Sequence, residues 1–282
     1  IFRTFFLLIM IKVAIQGIKG SYHHHVASDY FSDSSEIIEY FSFDELIQSV
    51  VHNICDYGVL AIENSIAGSI IPNYSLMDNS NLQIVGEYYI NINHQLLALN
   101  GKKIDDIEVI SSHPMALLQC KDFLKKHPRI TIIEAKDTAN VAKEIKNNNI
   151  ENMAAIASLE ASKLYDLSVI KKNIQNNKNN ETRFVIVSKK IVYNQIKCDK
   201  ASLKLVLSHK TGSLAKILNI LSKNGLNLTK IQSLPIAEIT WKYSFFIDTT
   251  FEKLDDLKKA LKKIEIFADS VKVLGIYEKR ML

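Results

Sequence analysis

The segment 179–184, Asn-Asn-Glu-Thr-Arg-Phe, brings a hydroxyl, a guanidinium and an aromatic ring to the start of an apolar strand, Val185-Ile186-Val187. The planar guanidinium of Arg183 suits a carboxylate or a phosphate. Beside it, the Thr182 hydroxyl can donate or accept a hydrogen bond. A strand fixes the backbone, so its first residues can be held toward a cleft. An ordinary solvated loop would have the same composition, so the segment alone indicates only a candidate anion site.

Three more polar turns follow predicted strands and precede predicted helices, at segments 17–23, 63–69 and 111–115. The first contains Gly17 and Gly20 followed by Ser21, which suits close approach of a ligand to exposed helix N–H groups. In open α/β sheets, ligands bind at the carboxyl ends of strands. We therefore expect the three turns and segment 179–184 to surround one cleft.

Composition excludes several classes of protein. The chain has 282 residues, 47% hydrophobic and 23% charged, with a net charge of +5, which is typical of a globular protein and too mild to mark a nucleic-acid binder. Three widely spaced cysteines predict reduced thiols without a disulfide framework, and hence a cytoplasmic protein. Consecutive histidines 23–25 cannot all face one metal ion on a helix, so we expect no metal site.

The first nine residues are apolar and include one arginine, and no small-residue cleavage site follows them. Met10 stands directly before a predicted core strand. We therefore expect Met10 to be the natural start and residues 1–9 to be an upstream extension. No apolar run is long enough to predict a membrane span.

Strands and helices alternate as far as residue 187, which predicts an α/β fold. Within it, Ser42 is expected to cap a helix over residues 43–51, and Ser112 to cap one over residues 115–126. Residues 188–199 are expected to form a linker. The remaining pattern, βαββαβ, predicts a ferredoxin-like module of about 80 residues.

Five segments resemble, in order and spacing, motifs of the prephenate dehydratase family. They are 17–24, 62–69, 112–120, 155–167 and 179–184, the last resembling Asn-x-Thr-Arg-Phe. This resemblance implies a two-lobed catalytic domain like the type II periplasmic binding proteins over residues 11–190. Its first lobe would comprise about 11–84 and 177–190, and its second about 85–176.

The C-terminal module, residues 201–282, resembles the regulatory ACT domain of the same family. Gly212-Ser213-Leu214 resembles a Gly-Ala-Leu turn, and Asn227 belongs to a segment like Ile-Asn-Leu-Thr-x-Ile; a third similar segment begins at Trp241. Gln232-Ser233-Leu234-Pro235 stands where the family has Glu-Ser-Arg-Pro. The resemblance implies a phenylalanine effector site at these residues, and the two replacements predict weaker control. It also implies a homodimer or homotetramer formed through ACT domains.

The implied reaction converts prephenate to phenylpyruvate, water and carbon dioxide in L-phenylalanine biosynthesis, and in principle it requires no metal or cofactor. On this resemblance, Arg183 binds a substrate carboxylate, Thr182 stabilises the leaving hydroxyl, and Phe184 packs the ring or fills the core. Further donors for the substrate are expected from a set of small polar residues. The set is Asn64, Ser65, Ser21, Ser112, Gly68, Ser69 and Asn180. For each serine, a plain N-cap is at least as good an interpretation.

Two other functions stay open on the sequence. Arogenate dehydratase would carry out the same chemistry on an amino-acid substrate. A non-catalytic two-lobed binding protein would share the fold, and turnover of prephenate would distinguish it from an enzyme.

Overall fold

The computed structural model describes residues 10–32, 35–190, 198–236 and 242–280. The expected extension 1–9, most of the expected linker and Trp241 therefore lie outside the described residues. By its internal contacts the chain divides into two units. Unit 1 runs to Leu76 and continues over Tyr88–Phe184, and unit 2 comprises Met77–Glu87 and the chain from Val185 onward.

The first sheet of unit 1 is built on β1 (Ile11–Gln16), whose residues Val13, Ala14 and Ile15 are fully buried. It pairs in parallel with β2 (Ser35–Tyr40) on one side and β3 (Tyr57–Asn64) on the other. A short strand, β4 (Gly68–Ser69), folds back on β3. The predicted strands β1 and β3 are confirmed. β2 was not predicted, because an edge strand with two acidic residues among six lacks a clear apolar alternation.

Two helices follow the strands of this sheet, α1 (Tyr22–Phe31) and α2 (Phe43–Val51). The Ser42 hydroxyl accepts a hydrogen bond from the backbone N–H of Glu45, and the Glu45 carboxylate accepts one from the backbone N–H of Ser42. This capping box satisfies two N–H groups that the helix leaves open. The predicted bounds and cap of α2 are confirmed.

The second sheet of unit 1 has the strand order β10-β6-β9-β7-β8. Its strands are β6 (Gln95–Ala98), β7 (Val109–Ser112), β8 (Thr131–Glu134), β9 (Met153–Ala157) and β10 (Ser168–Lys171). Its helices are α4 (Pro114–Gln119), α5 (Lys121–Leu124), α6 (Thr138–Asn147) and α7 (Leu159–Leu164), with a 3-10 turn at Ile104–Asp106. Apolar residues of β6, β9 and α6 form one fully buried core.

Two predictions in this region are wrong. The helix expected over 115–126 is broken into α4 and α5 at Cys120. Its N-cap is His113, whose Nδ1 accepts from the backbone N–H of Met115. Ser112 is instead the last residue of β7, where its hydroxyl donates to the backbone carbonyl of Ile156. The β7 ladder therefore includes Ser112, which pairs with Glu134 of β8.

Each boundary between the units falls, along the chain, inside one helix or strand. These elements are α3 (Ile71–Asn79), β5 (Gln83–Asn91) and β11 (Glu181–Ser188). In unit 2, segment 77–87 is held by lysines of the C-terminal module. Lys200 pairs with Glu87 at 2.8 Å, both side chains being almost fully buried, and Lys204 pairs with Asp78.

The rest of unit 2 follows the order β12 (Lys200–Leu207), α8 (Ser213–Lys223), β13 (Asn227–Pro235), β14 (Tyr243–Thr250), α9 (Leu254–Ile264) and β15 (Ala268–Tyr277). The strand order β13-β14-β12-β15, with antiparallel pairing, confirms the predicted ferredoxin-like βαββαβ module. Among the described helices, none has both the length and the apolar character needed to span a membrane.

Candidate active site

A cavity of about 360 Å³ lies within unit 1. It is lined by Gln16, Ser21, Tyr22, His23, Phe43, Ala61, Asn64, Ala67, Ile70, Ile92, His94, His113, Met115, Ala116, Gln119, Lys136, Asp137, Thr138, Thr182 and Phe184. The expected turns 17–23, 63–69 and 111–115 each contribute, as does segment 179–184. The lining combines apolar side chains with polar groups that converge on one space, as is typical of a small-molecule site.

Thr182 and Phe184 are the residues of β11 that reach this cavity. Successive side chains of a strand point to opposite faces, so residues 182 and 184 share one face. The Thr182 oxygen accepts a hydrogen bond of 2.9 Å from Nδ2 of Asn64. Since that bond occupies the oxygen as an acceptor, the hydroxyl hydrogen of Thr182 is left to donate elsewhere.

The amide of Asn64 is oriented by its other contacts. Its Oδ1 accepts from the backbone N–H groups of Ile66 and Ala67, at 3.0 and 2.9 Å. These bonds fix Nδ2 on the side of β11, where it also donates to Oδ1 of Asn180 at 2.7 Å. Asn64 is therefore a rigid donor at the end of β3.

A hydrogen-bond chain continues from Asn180 through unit 1. Nδ2 of Asn180 donates to Oε1 of Gln119, and the same oxygen accepts from Nε2 of His94, both at 2.9 Å. His94 is then the Nε2–H tautomer, with Nδ1 placed 3.3 Å from the Tyr22 hydroxyl. Burial lowers the pKa of His94, so the ring stays neutral. Oε1 of Gln119 accepts from both Asn180 and His94, so the N–H₂ group of the Gln119 side chain points away from these two residues.

Phe184 contacts the ring of His23 edge-to-face, with centroids 4.9 Å apart, and His23 also packs on Phe43 at 5.4 Å. Burial lowers the pKa of His23 to about 4. The ring is therefore neutral at physiological pH, and it packs against the two aromatic rings. His25, two residues further along α1, pairs with Asp29 and Glu160.

Arg183 has a different place from the one predicted. Its side chain is 5% exposed, is not among those lining the cavity, and has Nη1 3.9 Å from Oε2 of Glu63. The alternation that brings Thr182 and Phe184 to the cavity turns the residue between them to the other face. Direct contact between Arg183 and a carboxylate in this cavity is therefore not supported.

The predicted small polar residues divide into two groups. Asn64 and Ser21 line the cavity, and Ser21 also caps α1 by accepting from the backbone N–H of His24 at 3.2 Å. Ser65, Gly68, Ser69, Ser112 and Asn180 do not line it. Ser65 joins the turn after β3 to β11 by accepting from the backbone N–H of Glu181 at 2.9 Å. Asn180 is hydrogen-bonded to Asn64 and Gln119.

Sequence reasoning missed Lys136, Asp137, His94 and Gln119 as cavity residues. Asp137 is the N-cap of α6: its Oδ1 accepts from the backbone N–H of Asn140 at 2.9 Å. A Lys-Asp pair at a strand-to-helix turn is the one signal that could have drawn attention to this wall. The described residues contain no cluster of three potential metal ligands.

A second cavity, of about 350 Å³, lies in unit 2. Its lining is Leu207, Ser208, His209, Lys210, Thr211, Ser213, Leu214, Lys242, Tyr243 and Phe245. Ser213 and Leu214 belong to the predicted effector set, and Gly212 is the N-cap of α8. The other predicted effector residues, Asn227 and 232–235, lie on β13, which pairs with β14 so that Ser233 faces Phe245 and Pro235 faces Tyr243.

The two-sheet fold of unit 1 and its cavity define a two-lobed α/β enzyme with an attached βαββαβ module. The prephenate dehydratase family model matches residues 13–192, and the ACT domain model matches residues 201–266. The chain belongs to the prephenate dehydratase family. It is a decarboxylating carbon–oxygen lyase.

Relatives in other organisms support this placement. The chain is 39% identical to the bifunctional chorismate mutase/prephenate dehydratase of Buchnera aphidicola subsp. Schizaphis graminum, over 93% of this chain and 69% of the relative. It is 35% identical to arogenate dehydratase/prephenate dehydratase 2 of Arabidopsis thaliana, over 95% and 72%.

Solved structures share the fold. GqqA, described as a novel type of quorum-quenching acylase, aligns with a TM-score of 0.85 and 25% identity over 95% of this chain and 98% of that one. The prephenate dehydratase of Arthrobacter aurescens in complex with L-Phe aligns with a TM-score of 0.84 and 24% identity, over 95% and 90%.

Proposed function

We propose that Thr182 stabilises the leaving hydroxyl in the reaction that this chain catalyses as a prephenate dehydratase. That reaction converts prephenate to phenylpyruvate, water and carbon dioxide in L-phenylalanine biosynthesis. The observation that carries the proposal is the hydrogen bond from Asn64 to the Thr182 oxygen. A hydroxyl that already accepts one bond presents its hydrogen to the cavity, where a departing oxygen needs a donor.

The chemistry requires little from the protein beyond position and charge. The ring carboxylate leaves as carbon dioxide, its bonding electrons enter the ring, and the bond from ring carbon to hydroxyl breaks. Hydroxide takes a proton to become water, and the ring becomes aromatic. Thr182 is a poor acid, so its contribution is a hydrogen bond to the departing oxygen, and the proton comes from water.

The carboxylates of the substrate need cationic or N–H partners within the cavity. Lys136 is the lysine in the lining. Ser21 also lines the cavity and is the N-cap of α1, whose first turn presents backbone N–H groups. The amide N–H₂ of Gln119 is a further donor. We assign the carboxylates to these groups, and Arg183 to positioning β11 through Glu63.

The test uses Thr182→Ala and Thr182→Ser, assayed by the alkaline absorbance of phenylpyruvate. Thr182→Ala is expected to lower kcat by about 100-fold or more with the fold intact, because a donor to the transition state is lost. Thr182→Ser keeps the hydroxyl and is expected to retain most activity. Near-normal turnover of the alanine variant would reject the role of Thr182.

We propose that the unit 2 cavity is part of an effector site for L-phenylalanine. Lys210 and Lys242 offer cationic partners for a carboxylate, and Tyr243 and Phe245 offer apolar surface for a phenyl ring. The neighbouring β13 carries Gln232 and Leu234 in place of the family's Glu and Arg. The L-Phe complex of the Arthrobacter protein is consistent with an effector of this class.

Three further assignments are proposals. The catalytic domain spans 11–190, with lobes of about 11–84 plus 177–190 and about 85–176, and the ACT domain spans 201–282.

The chain forms a homodimer or homotetramer through its ACT domains, which size-exclusion chromatography with light scattering would measure. The compartment is the cytoplasm, which the sparse cysteines support.

A further inference from the structure

One wall of the active-site cavity carries a carboxylate that the dehydratase reaction does not use. Asp137 lines the cavity directly after Lys136, as the N-cap of α6. The carboxylate lies close to the turn after β1, since a Cβ built on Gly17 would lie 2.6 Å from the Asp137 Oδ2. Gly17, at φ +90°, thus leaves the space that this carboxylate occupies.

This carboxylate is out of place in a site for a dianion. Prephenate brings two carboxylates, and like charges at close range repel. Burial raises the pKa of Asp137 above its ordinary value and Glu39 adds to the shift, while the N–H groups of Asn140 and Ala139 and the nearby His113 oppose it. In the described part of the chain, no cationic side chain forms an ion pair with Asp137. The wall therefore has a half-buried carboxylate that lacks a side-chain counter-ion among the described residues.

A ligand can supply that counter-ion. Arogenate differs from prephenate in carrying an ammonium group where prephenate has the keto oxygen of its side chain. In an amino-acid head group, ammonium and carboxylate are attached to the same carbon. Asp137 and Lys136 are adjacent residues of opposite charge on the cavity wall, which matches this pair of groups.

We propose that Asp137 is a specificity-determining residue that binds the ammonium group of arogenate, with Lys136 on the neighbouring carboxylate. This inference rests on the proposed function of the same cavity. It adds which substrate side chain the cavity prefers, the amino acid of arogenate over the keto acid of prephenate. The bonds broken are those of the prephenate reaction: the ring carboxylate leaves as carbon dioxide, hydroxide leaves and is protonated to water, and the product is phenylalanine.

The test compares kcat/KM for arogenate and prephenate in the wild type, Asp137→Asn and Asp137→Ser. Asparagine and serine both cap helices well, so α6 is retained while the charge is removed. Losing an ion pair is expected to lower kcat/KM for arogenate about tenfold, and losing a repulsion to raise kcat/KM for prephenate about threefold. The two changes have opposite signs, which a general disturbance of the fold would not produce.

Glu134→Gln is the matched control, because it removes an equal charge from an exposed residue of β8 that does not line the cavity. Its ratio of kcat/KM values is expected to equal that of the wild type. An unchanged ratio in both Asp137 variants would overturn the inference. An equal fall for both substrates with a shifted pH profile would also overturn it, since Asp137 would then act on the reaction itself. A wild type that turns over neither substrate would instead reject the proposed function.

Discussion

Two neighbouring residues of β11 have distinct surroundings, because their side chains point to opposite faces of the strand. Thr182 reaches the cavity and is held by Asn64, while Arg183 is buried beside Glu63. A guanidinium in a strand is not by itself a ligand for substrate. Its position relative to the cavity decides whether its charge contributes to binding or to structure.

At the residue scale, Arg183→Lys and Lys136→Met should separate these roles. Arg183→Lys is expected to lower Tm, because the buried partners of the planar guanidinium are left unsatisfied, which costs about 1–3 kcal/mol. KM for prephenate is expected to change less than about threefold. Lys136→Met is expected to raise KM about tenfold with little change in Tm, because a cation for the carboxylate is lost. Thermal melts and steady-state kinetics measure both. A large rise in KM for Arg183→Lys without loss of stability would show that Arg183 binds substrate directly.

The turn after β1 is joined to α7 by contacts between distant elements of unit 1. The Ser158 hydroxyl donates to the carbonyl of Gly20 at 2.7 Å, and the Tyr165 hydroxyl donates to that of Lys19 at 2.6 Å. A Cβ on Gly20 would lie 3.2 Å from Cα of Ala161. The glycine therefore allows the close approach of α7 on which these bonds depend.

At the scale of elements, the pair His25–Glu160 between α1 and α7 predicts a pH-dependent contribution to stability. The hydrogen bond to Glu160 raises the pKa of His25 above 6.5, and the bond to His25 lowers the pKa of Glu160 below 4.5. The contribution of His25 is present below pH 6.5 and is lost as pH rises through the raised pKa. That of Glu160 is present above pH 4.5 and is lost as pH falls through the lowered pKa.

His25→Gln should therefore lower the free energy of unfolding by about 0.5 kcal/mol near pH 5.5, the usual size of a partly exposed pair, and by less near pH 9. Glu160→Gln should show the same pH dependence, because it removes the same pair. Denaturant melts at the two pH values measure the difference. An equal loss at both pH values would mean that the pair does not form.

On the scale of the whole molecule, the chain joins a prephenate dehydratase domain to an ACT domain whose effector motif is altered. Leu234 is buried, where the family has an arginine. Fewer charged groups on β13 leave an amino-acid effector with fewer partners. Any control of the reaction then depends more on the lysines that line the unit 2 cavity.

Phenylalanine is therefore expected to bind and inhibit this protein more weakly than it does relatives with Glu-Ser-Arg-Pro. Restoring the motif with Gln232→Glu and Leu234→Arg together should tighten binding by about tenfold or more, since an ionised partner is returned to the ligand. Calorimetry with phenylalanine, and kinetics in its presence, measure both effects. Tight inhibition of the wild type would contradict this expectation.

The sequence by itself determined the elements whose signals are local. The capping box at Ser42 and Glu45 specifies α2, and the buried strand at Val13–Ile15 follows from its apolar run. The motif segments indicated the family, and the βαββαβ order indicated the second module. Side chains alternate between the two faces of a strand, so the sequence by itself also predicts that Arg183 lies on the face opposite Thr182 and Phe184.

The tertiary structure alone decided which distant residues meet. Asn64 reaches Asn180 and Thr182 across 116 and 118 positions of sequence, and Gln119 joins Asn180 to His94. Asp137 reached the cavity wall because α6 begins over the turn at Gly17. Such contacts depend on how the strands of two sheets are ordered and packed, and no local spacing in the chain encodes that order. The sequence thus supplied the reacting groups, and the fold decided which of them face the substrate.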